Sequence, residues 1–164
     1  MAAAQWYAVY TRSRHEKVAH RALAEKGVES FLPLYDILSS WKDRRKWVQK
    51  PVFPGYLFAR VLRNRVGLVR GARGVVRLVS DGGGPVPVPA KEVEAVRQMM
   101  ESPLPVDRWP YLRSGKRVRV KAGSLKGAEG YIVTRRKQCR LVISVHLLGR
   151  SVATEVGIDC IEPI

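Results

Sequence analysis

The stretch HEKVAH at residues 15–20 places two histidines and a glutamate together, the residue types that hold and serve a hydrolytic zinc ion. In an HExxH helix the two imidazoles lie four residues apart, about 40° around the axis, and the glutamate acts as general base. Here His20 follows His15 by five residues, which turns it about 140° away. His146 is the only other histidine. Surface histidines on a helix are therefore expected, with no metal. The run GGGP (82–85) has the flexibility to cradle a phosphate, yet it lacks the GK[ST] of a P-loop and opens no long helix. There is no GxSxG, and Cys139 and Cys160 form no CxxC pair. No catalytic constellation and no cofactor follow from these residues, so the expectation is a protein that is not an enzyme.

A different chemistry is suggested by PVFPGYLF (51–58). Phe53, Tyr56 and Phe58 fall within six positions of a chain that has Trp 4, Tyr 6 and Phe 3. The basic stretch KDRRKWVQK stands immediately before it. Over the whole chain, 30 Lys and Arg against 14 Asp and Glu leave a net charge of +16. Residues 1–105 contribute +9 and residues 106–164 contribute +7, so the excess is not confined to a tail. Such a surplus points to a polyanionic neighbour, most simply nucleic acid. No apolar run of eighteen residues is present, and no basic amphipathic helix or lipidation motif points to a membrane surface. The start MAAAQWYAVY lacks the layout of a secretion signal, and two cysteines do not make a disulfide framework. A cytoplasmic monomer is expected.

The elements that must position these residues can be read in order. WYAVYT (6–11) has strand composition. Ser13 and Glu16 have capping-box spacing, Val18, Ala22 and Leu23 make an apolar face, and Gly27 sits where a C′ glycine belongs. A helix from about 14 to 26 follows. ESFLPLYDIL (29–38) reads as a strand that Pro33 restricts to an edge or bulge, and SSWKDRRKWVQK as the tip and return of a hairpin. GYLFARVL (55–62) and VVRLVS (75–80) are strands around a short helical turn, and a helix from about 90 to 101 presents Val93, Val96, Met99 and Met100. This β-α-β-β-α-β order, with an added strand and helix, is the split βαβ pattern of ferredoxin-like folds. SPLPVDRWPYL (102–112) has three prolines and no periodicity, which suits a linker. From Gly115 onward, short alternating strands separated by glycines suggest a small SH3-like barrel. Leu141, Ile143, Val145 and Leu147 alternate with Val142, Ser144, His146 and Leu148, a strand period and not a helical one.

Alternation places Trp6, Ala8 and Tyr10 on one face of the first strand and Tyr56, Phe58 and Arg60 on one face of the third. GYLFARV loosely resembles the RNP1 strand of RNA recognition motifs, so a stand-alone RNA-binding protein using this sheet face is one reading. A ribosome-associated protein with a KOW motif is another. A closer likeness covers nearly the whole chain. WYAVYTRSRHEKVAHRAL, KPVFPGYLFARV, GVVRLVS, GKRVRVKAGSLKGAEGYIV and HLLGRSV occur in order and spacing, and together they resemble the NusG family of transcription elongation and antitermination factors. KPVFPGYLF is similar to the specialised paralogues of RfaH and capsule-operon type.

The resemblance implies an α+β chain: an N-terminal ferredoxin-like NGN domain (1–103), a linker (104–112) and a small SH3-like β-barrel KOW domain (113–164). It implies a factor that binds the clamp helices of RNA polymerase's largest subunit and suppresses pausing or termination. Tyr10, Phe53, Pro54, Gly55, Tyr56 and Phe58 match the polymerase-binding positions, with Pro54 and Gly55 bending the chain and leaving room for a partner. Arg12, Arg14 and Arg73 match positions that touch non-template DNA in specialised members. Lys42, Arg44, Arg45 and Lys46 fall on the hairpin, where upstream DNA or nascent RNA would lie. In the KOW domain, Gly127 matches the motif glycine, where a Cβ is expected to clash. Leu147, Leu148, Gly149 and Arg150 match the loop that meets a ribosomal small-subunit protein or Rho in relatives, although the aromatic usual near Leu148 is missing.

Overall fold

The structure, a computed structural model, describes residues 3–42 and 44–164. Two compact units divide the chain, Met1–Ala90 and Lys91–Ile164. In the first, β1 (Gln5–Thr11) leads to α1 (Glu16–Glu25), β2 (Glu29–Phe31), β3 (Leu34–Trp41), β4 (Arg44–Pro51) and β5 (Tyr56–Val61). A 3-10 turn (Arg63–Arg65) runs into α2 (Val66–Arg70), followed by β6 (Val75–Leu78), β7 (Ser80–Asp81), β8 (Gly84–Pro85) and β9 (Pro87–Val88). The main sheet has the order β2-β5-β1-β6, with β9 also paired to β1, and its pairings are antiparallel. Counting only the four core strands this is the 4-1-3-2 arrangement of ferredoxin-like folds.

Strand alternation sorts β1 into two faces. Tyr7 and Val9, both fully buried, join Leu57, Ala59 and Leu78 with Ala19 and Leu23 of α1 in one apolar cluster. That helix begins later than the capping-box spacing suggests. A turn closed by His15 N–H to the Arg12 carbonyl (3.0 Å), with Arg14 at φ 62°, occupies its expected first residues. His15 is the N-cap and no side chain caps the helix, so Ser13 does not serve. Val18, expected on the apolar face, is 37% exposed, and Ala19 takes its place beside Leu23. The C-terminus follows the expectation: Gly27 has φ 72°, and Val28 N–H reaches the Leu23 carbonyl at 2.9 Å, a Schellman closure. Pro33 divides the expected single strand into β2 and β3, and β3 pairs with β4 from Leu34↔Pro51 to Trp41↔Arg44.

The second unit holds α3 (Ala90–Glu101), which buries Val93, Val96 and Met99, and a sheet of β10 (Val106–Trp109), β11 (Lys116–Val120), β12 (Glu129–Arg135), β13 (Gln138–Val145), β14 (Arg150–Val156) and β15 (Ile161–Pro163). The order β10-β14-β13-β12-β11-β15 is antiparallel throughout, the strand-built barrel that the alternation predicts. The strand period ends earlier than expected, because residues 146–149 turn the chain into β14. Val106–Trp109 differs from the linker reading, since it pairs with β14 as a strand. Pro105 and Pro110 stand just outside the four-residue strand, where a missing N–H costs no ladder bond. Leu112 is also tied down, its N–H reaching Ser151 Oγ at 3.0 Å and its carbonyl accepting Ser144 Oγ at 2.7 Å.

Candidate functional site

Phe53-Pro54-Gly55-Tyr56 forms a β-turn closed by the Tyr56 N–H to the Phe53 carbonyl at 3.0 Å. Proline at the second position and glycine at the third, with φ 85°, mark it as type II. An added Cβ on Gly55 would meet only Tyr10 Cε2, at an ordinary 3.6 Å, so the turn demands glycine for its backbone angle rather than for space. Two long-range bonds hold the turn. The Gly55 carbonyl accepts Thr11 N–H at 2.8 Å, and the Gly55 N–H faces the buried carboxylate of Glu16 at 3.4 Å. The end of β1, the start of α1 and the head of β5 are thereby joined at one point.

That junction sets Tyr10 opposite Tyr56, with ring centroids 5.4 Å apart and planes tilted at 57°. Tyr10 is 36% exposed, Tyr56 is half-buried, and the Arg77 guanidinium lies 5.4 Å from the Tyr10 centroid. Phe53 and Phe58 are different. Both are fully buried, meeting edge to face at 6.2 Å, and Phe31 stacks on Phe58 at 6.1 Å. The four aromatics thus divide into a buried pair and a solvent-facing tyrosine pair.

Arg12, Arg14 and Arg73 are all exposed and cluster around the first turn of α1. The Arg12 N–H donates to the Gly74 carbonyl at 2.9 Å, which draws the Arg73 loop against the β1–α1 junction. A Cβ on Gly74 would lie 3.2 Å from the His15 carbonyl oxygen, so the two loops are in close contact. Lys42, Arg44, Arg45 and Lys46 are exposed on the β3–β4 hairpin, together with the facing pair Leu38 and Trp47. Lys17 Nζ ties this hairpin to α1 through the Gln49 carbonyl at 3.2 Å.

The zinc-like triplet is used piecemeal. His15 Nδ1 bonds the Ser13 carbonyl (2.7 Å), Glu16 serves Gly55, and His20 Nδ1 meets Ser30 Oγ at 2.7 Å. Burial lowers the pKa of His20. Among the described residues, no three His, Cys, Asp or Glu side chains group to hold a metal. Glu16 and Arg77 escaped the sequence reading. Glu16 carried a plausible local role as a capping residue, and the place of Arg77 beside Tyr10 is visible only in the strand register Tyr10↔Arg77.

In the second unit, Leu147, Leu148, Gly149 and Arg150 lie at the β13–β14 turn. Leu148 is buried, Leu147 is half-buried, Gly149 has φ 61°, and Arg150 is exposed. Gly127 needs a different explanation from the expected clash. A Cβ there would meet nothing within 4 Å, and the requirement comes from φ 92°. Nothing in the sequence signals that Tyr111 and Tyr131 bracket His146, whose Nδ1 lies 2.8 Å and Nε2 3.3 Å from their hydroxyls.

A family model described as "Transcription termination factor nusG" matches residues 4–97. The "Transcription termination/antitermination protein NusG" of Helicobacter pylori is 24% identical over 175 residues, spanning 97% of this chain and 98% of its own length. A solved structure of Thermotoga maritima NusG shares 23% identity and a TM-score of 0.56, covering 98% of this chain and 97% of that one, and so supports the fold. With the family model spanning more than half of its residues, the chain belongs to the NusG family of transcription termination and antitermination proteins.

Proposed function

We propose that this protein binds the clamp helices of RNA polymerase's largest subunit and suppresses pausing or termination as one of the specialised NusG paralogues. The observation that carries the reading is the type II turn at Pro54-Gly55, beside which Tyr56 pairs with the exposed Tyr10. Rigid aromatic rings bury large area at low entropic cost, the property of interface anchors. Phe53 and Phe58 are buried and pack edge to face on each other. Arg12, Arg14 and Arg73 take phosphates of the non-template strand, and Lys42, Arg44, Arg45 and Lys46 reach upstream nucleic acid. Contacts of this kind give affinity and position without sequence information.

The protein acts in the cytoplasm by binding, without cofactor or catalysis. A factor that bridges the clamp shifts it toward the closed state only by its differential affinity for the two states. A preference of about 1.4 kcal/mol changes the pause ratio tenfold. The division of labour is residues 1–103 for polymerase and 113–164 for a ribosomal small-subunit protein or Rho, through Leu147–Arg150. Val106–Trp109, in the connecting stretch, rides on the barrel. The test is co-purification of the tagged protein with polymerase subunits from nuclease-treated lysate, with Tyr56→Ala as the variant that loses them.

A further inference from the structure

Tyr56, Tyr10 and Arg77 stand in one row across β5, β1 and β6, set by the registers Tyr10↔Tyr56 and Tyr10↔Arg77. Directly opposed residues point to the same face of a sheet, so Arg77 continues the line of the two rings. Just beyond it the ladder breaks: Thr11 faces Val75, which leaves Val76 as an unpaired bulge residue. Val75 and Leu78, three residues apart, both pack on the core cluster, which a regular two-residue alternation does not allow. The extra residue absorbs the difference, and Val76 is left 49% exposed next to Arg77. Bulges of this kind gather beside functional sites, where they re-aim side chains.

The Arg77 side chain is exposed, and its guanidinium lies over the Tyr10 ring, 5.4 Å from the centroid. Packing over a ring leaves the N–H donors at the edge of the guanidinium plane still to be used. Among the described residues Arg77 makes no ion pair. Carboxylates of the same unit are engaged elsewhere: Glu29 lies 3.8 Å from Arg60, Asp81 accepts from the Gly83 N–H at 2.8 Å, and Glu16 faces Gly55. A partner that covers Tyr10 also takes water from this guanidinium. Desolvating an unpaired cation is costly, so a partner that fits here brings an acceptor, and a carboxylate taken in a two-pronged contact is the best match.

We infer that Arg77 pairs with a carboxylate on the clamp helix that covers Tyr10 and Tyr56, and that this ion pair fixes the register of the helix on the aromatic row. The inference rests on the clamp reading and adds the charge that the partner must present. Aromatic rings alone let an apolar helix face slide, whereas one charge pair at the end of the row selects a single position.

The experiment measures binding to immobilised core polymerase free of nucleic acid, by interferometry. Arg77→Gln should weaken binding about tenfold, and Arg77→Glu should weaken it further, since like charges then meet. Both variants should keep a cooperative melt, because the position is exposed. Arg21→Glu makes the same charge reversal on α1, which packs on the opposite face of the sheet, and should bind nearly as the unaltered chain does. Acidic residues of the clamp helices are then changed to lysine one at a time, and one of these polymerases should restore most of the binding lost by Arg77→Glu. Losses no larger for Arg77→Glu than for Arg21→Glu overturn the inference. A loss that no lysine polymerase repairs overturns it too and leaves Arg77 as a prop for the Tyr10 ring. A loss seen only on complexes containing nucleic acid assigns Arg77 to phosphate and equally overturns it. Tyr56→Ala separates the two readings: if it loses polymerase while Arg77→Glu does not, the clamp reading stands and this inference falls, and if Tyr56→Ala binds fully, the clamp reading itself has failed.

Discussion

Truncating Tyr56 and truncating Phe58 should have opposite signatures, although the two residues are neighbours on one strand face. Tyr56 is half-buried and its ring packs on Tyr10 at 5.4 Å. Losing one tilted aromatic pair costs about 0.5–1.5 kcal/mol of stability beyond the area lost. If Tyr56 anchors the polymerase, Tyr56→Ala should cost about 2 kcal/mol of binding, close to 30-fold in Kd. Phe58 is fully buried against Phe53 and Phe31. Its truncation leaves a core cavity, with about 3–5 kcal/mol of destabilisation. Urea denaturation gives the stability of each variant, and biolayer interferometry on immobilised polymerase gives Kd. A Tyr56→Ala protein that unfolds cooperatively and still binds within twofold of the unaltered chain refutes the clamp assignment. A Phe58→Ala protein of unchanged stability refutes the division between buried and presenting aromatics.

Reversing Arg12, Arg14 and Arg73 to Glu should shorten retention on elongation complexes, with the difference shrinking as salt is added. Affinity for free polymerase should change far less, and equal losses with and without nucleic acid would contradict the DNA role. Gly55→Ala should destabilise by about 1–2 kcal/mol through its left-handed angle, and it should also weaken polymerase binding by disturbing the Tyr10–Tyr56 pair. Denaturation and interferometry on the same sample check both. Burial holds the His20 pKa below the ordinary 6.5, so the unfolded chain protonates first on acidification. The stability from this group is present above about pH 6.5 and is lost as the pH falls through that value toward the folded pKa. His20→Gln should flatten that part of the denaturation profile, and an unchanged pH slope would show that His20 does not contribute.

Local chemistry made much of this legible. The aromatic and β-branched run of β1, the Pro-Gly turn before β5 and the glycine that closes α1 each specify their conformation within a few residues. The same locality misled at the head of α1. Ser13 and Glu16 had capping spacing, yet the carboxylate of Glu16 serves Gly55, 39 residues away, and no window of sequence contains that bond. Val106–Trp109 was hidden because prolines erase periodicity on either side of a strand whose partner lies in β14. The separation of Tyr56 from Phe58 was hidden too, since alternation assigns a face and not a depth. Pairings such as Tyr111–His146–Tyr131 join positions 15 and 35 residues apart and leave no pattern to read.

The edge strands of the two sheets are short, β6 having four residues, and proline bounds β2, β9, β10 and β15. In the first, β2 has three residues and stops before Pro33, while β9 has two and begins at Pro87. In the second, β10 lies between Pro105 and Pro110, and β15 ends on Pro163. The eight-residue strands of the β3–β4 hairpin carry Arg44, Arg45, Lys46 and Lys50 instead. Unpaired strand edges are where identical chains add to one another, and brevity, proline and positive charge each oppose that addition. Strand addition between copies of this chain is thereby opposed at each of these edges, and the exposed Tyr10 ring sits on a surface that the sheet edges do not extend.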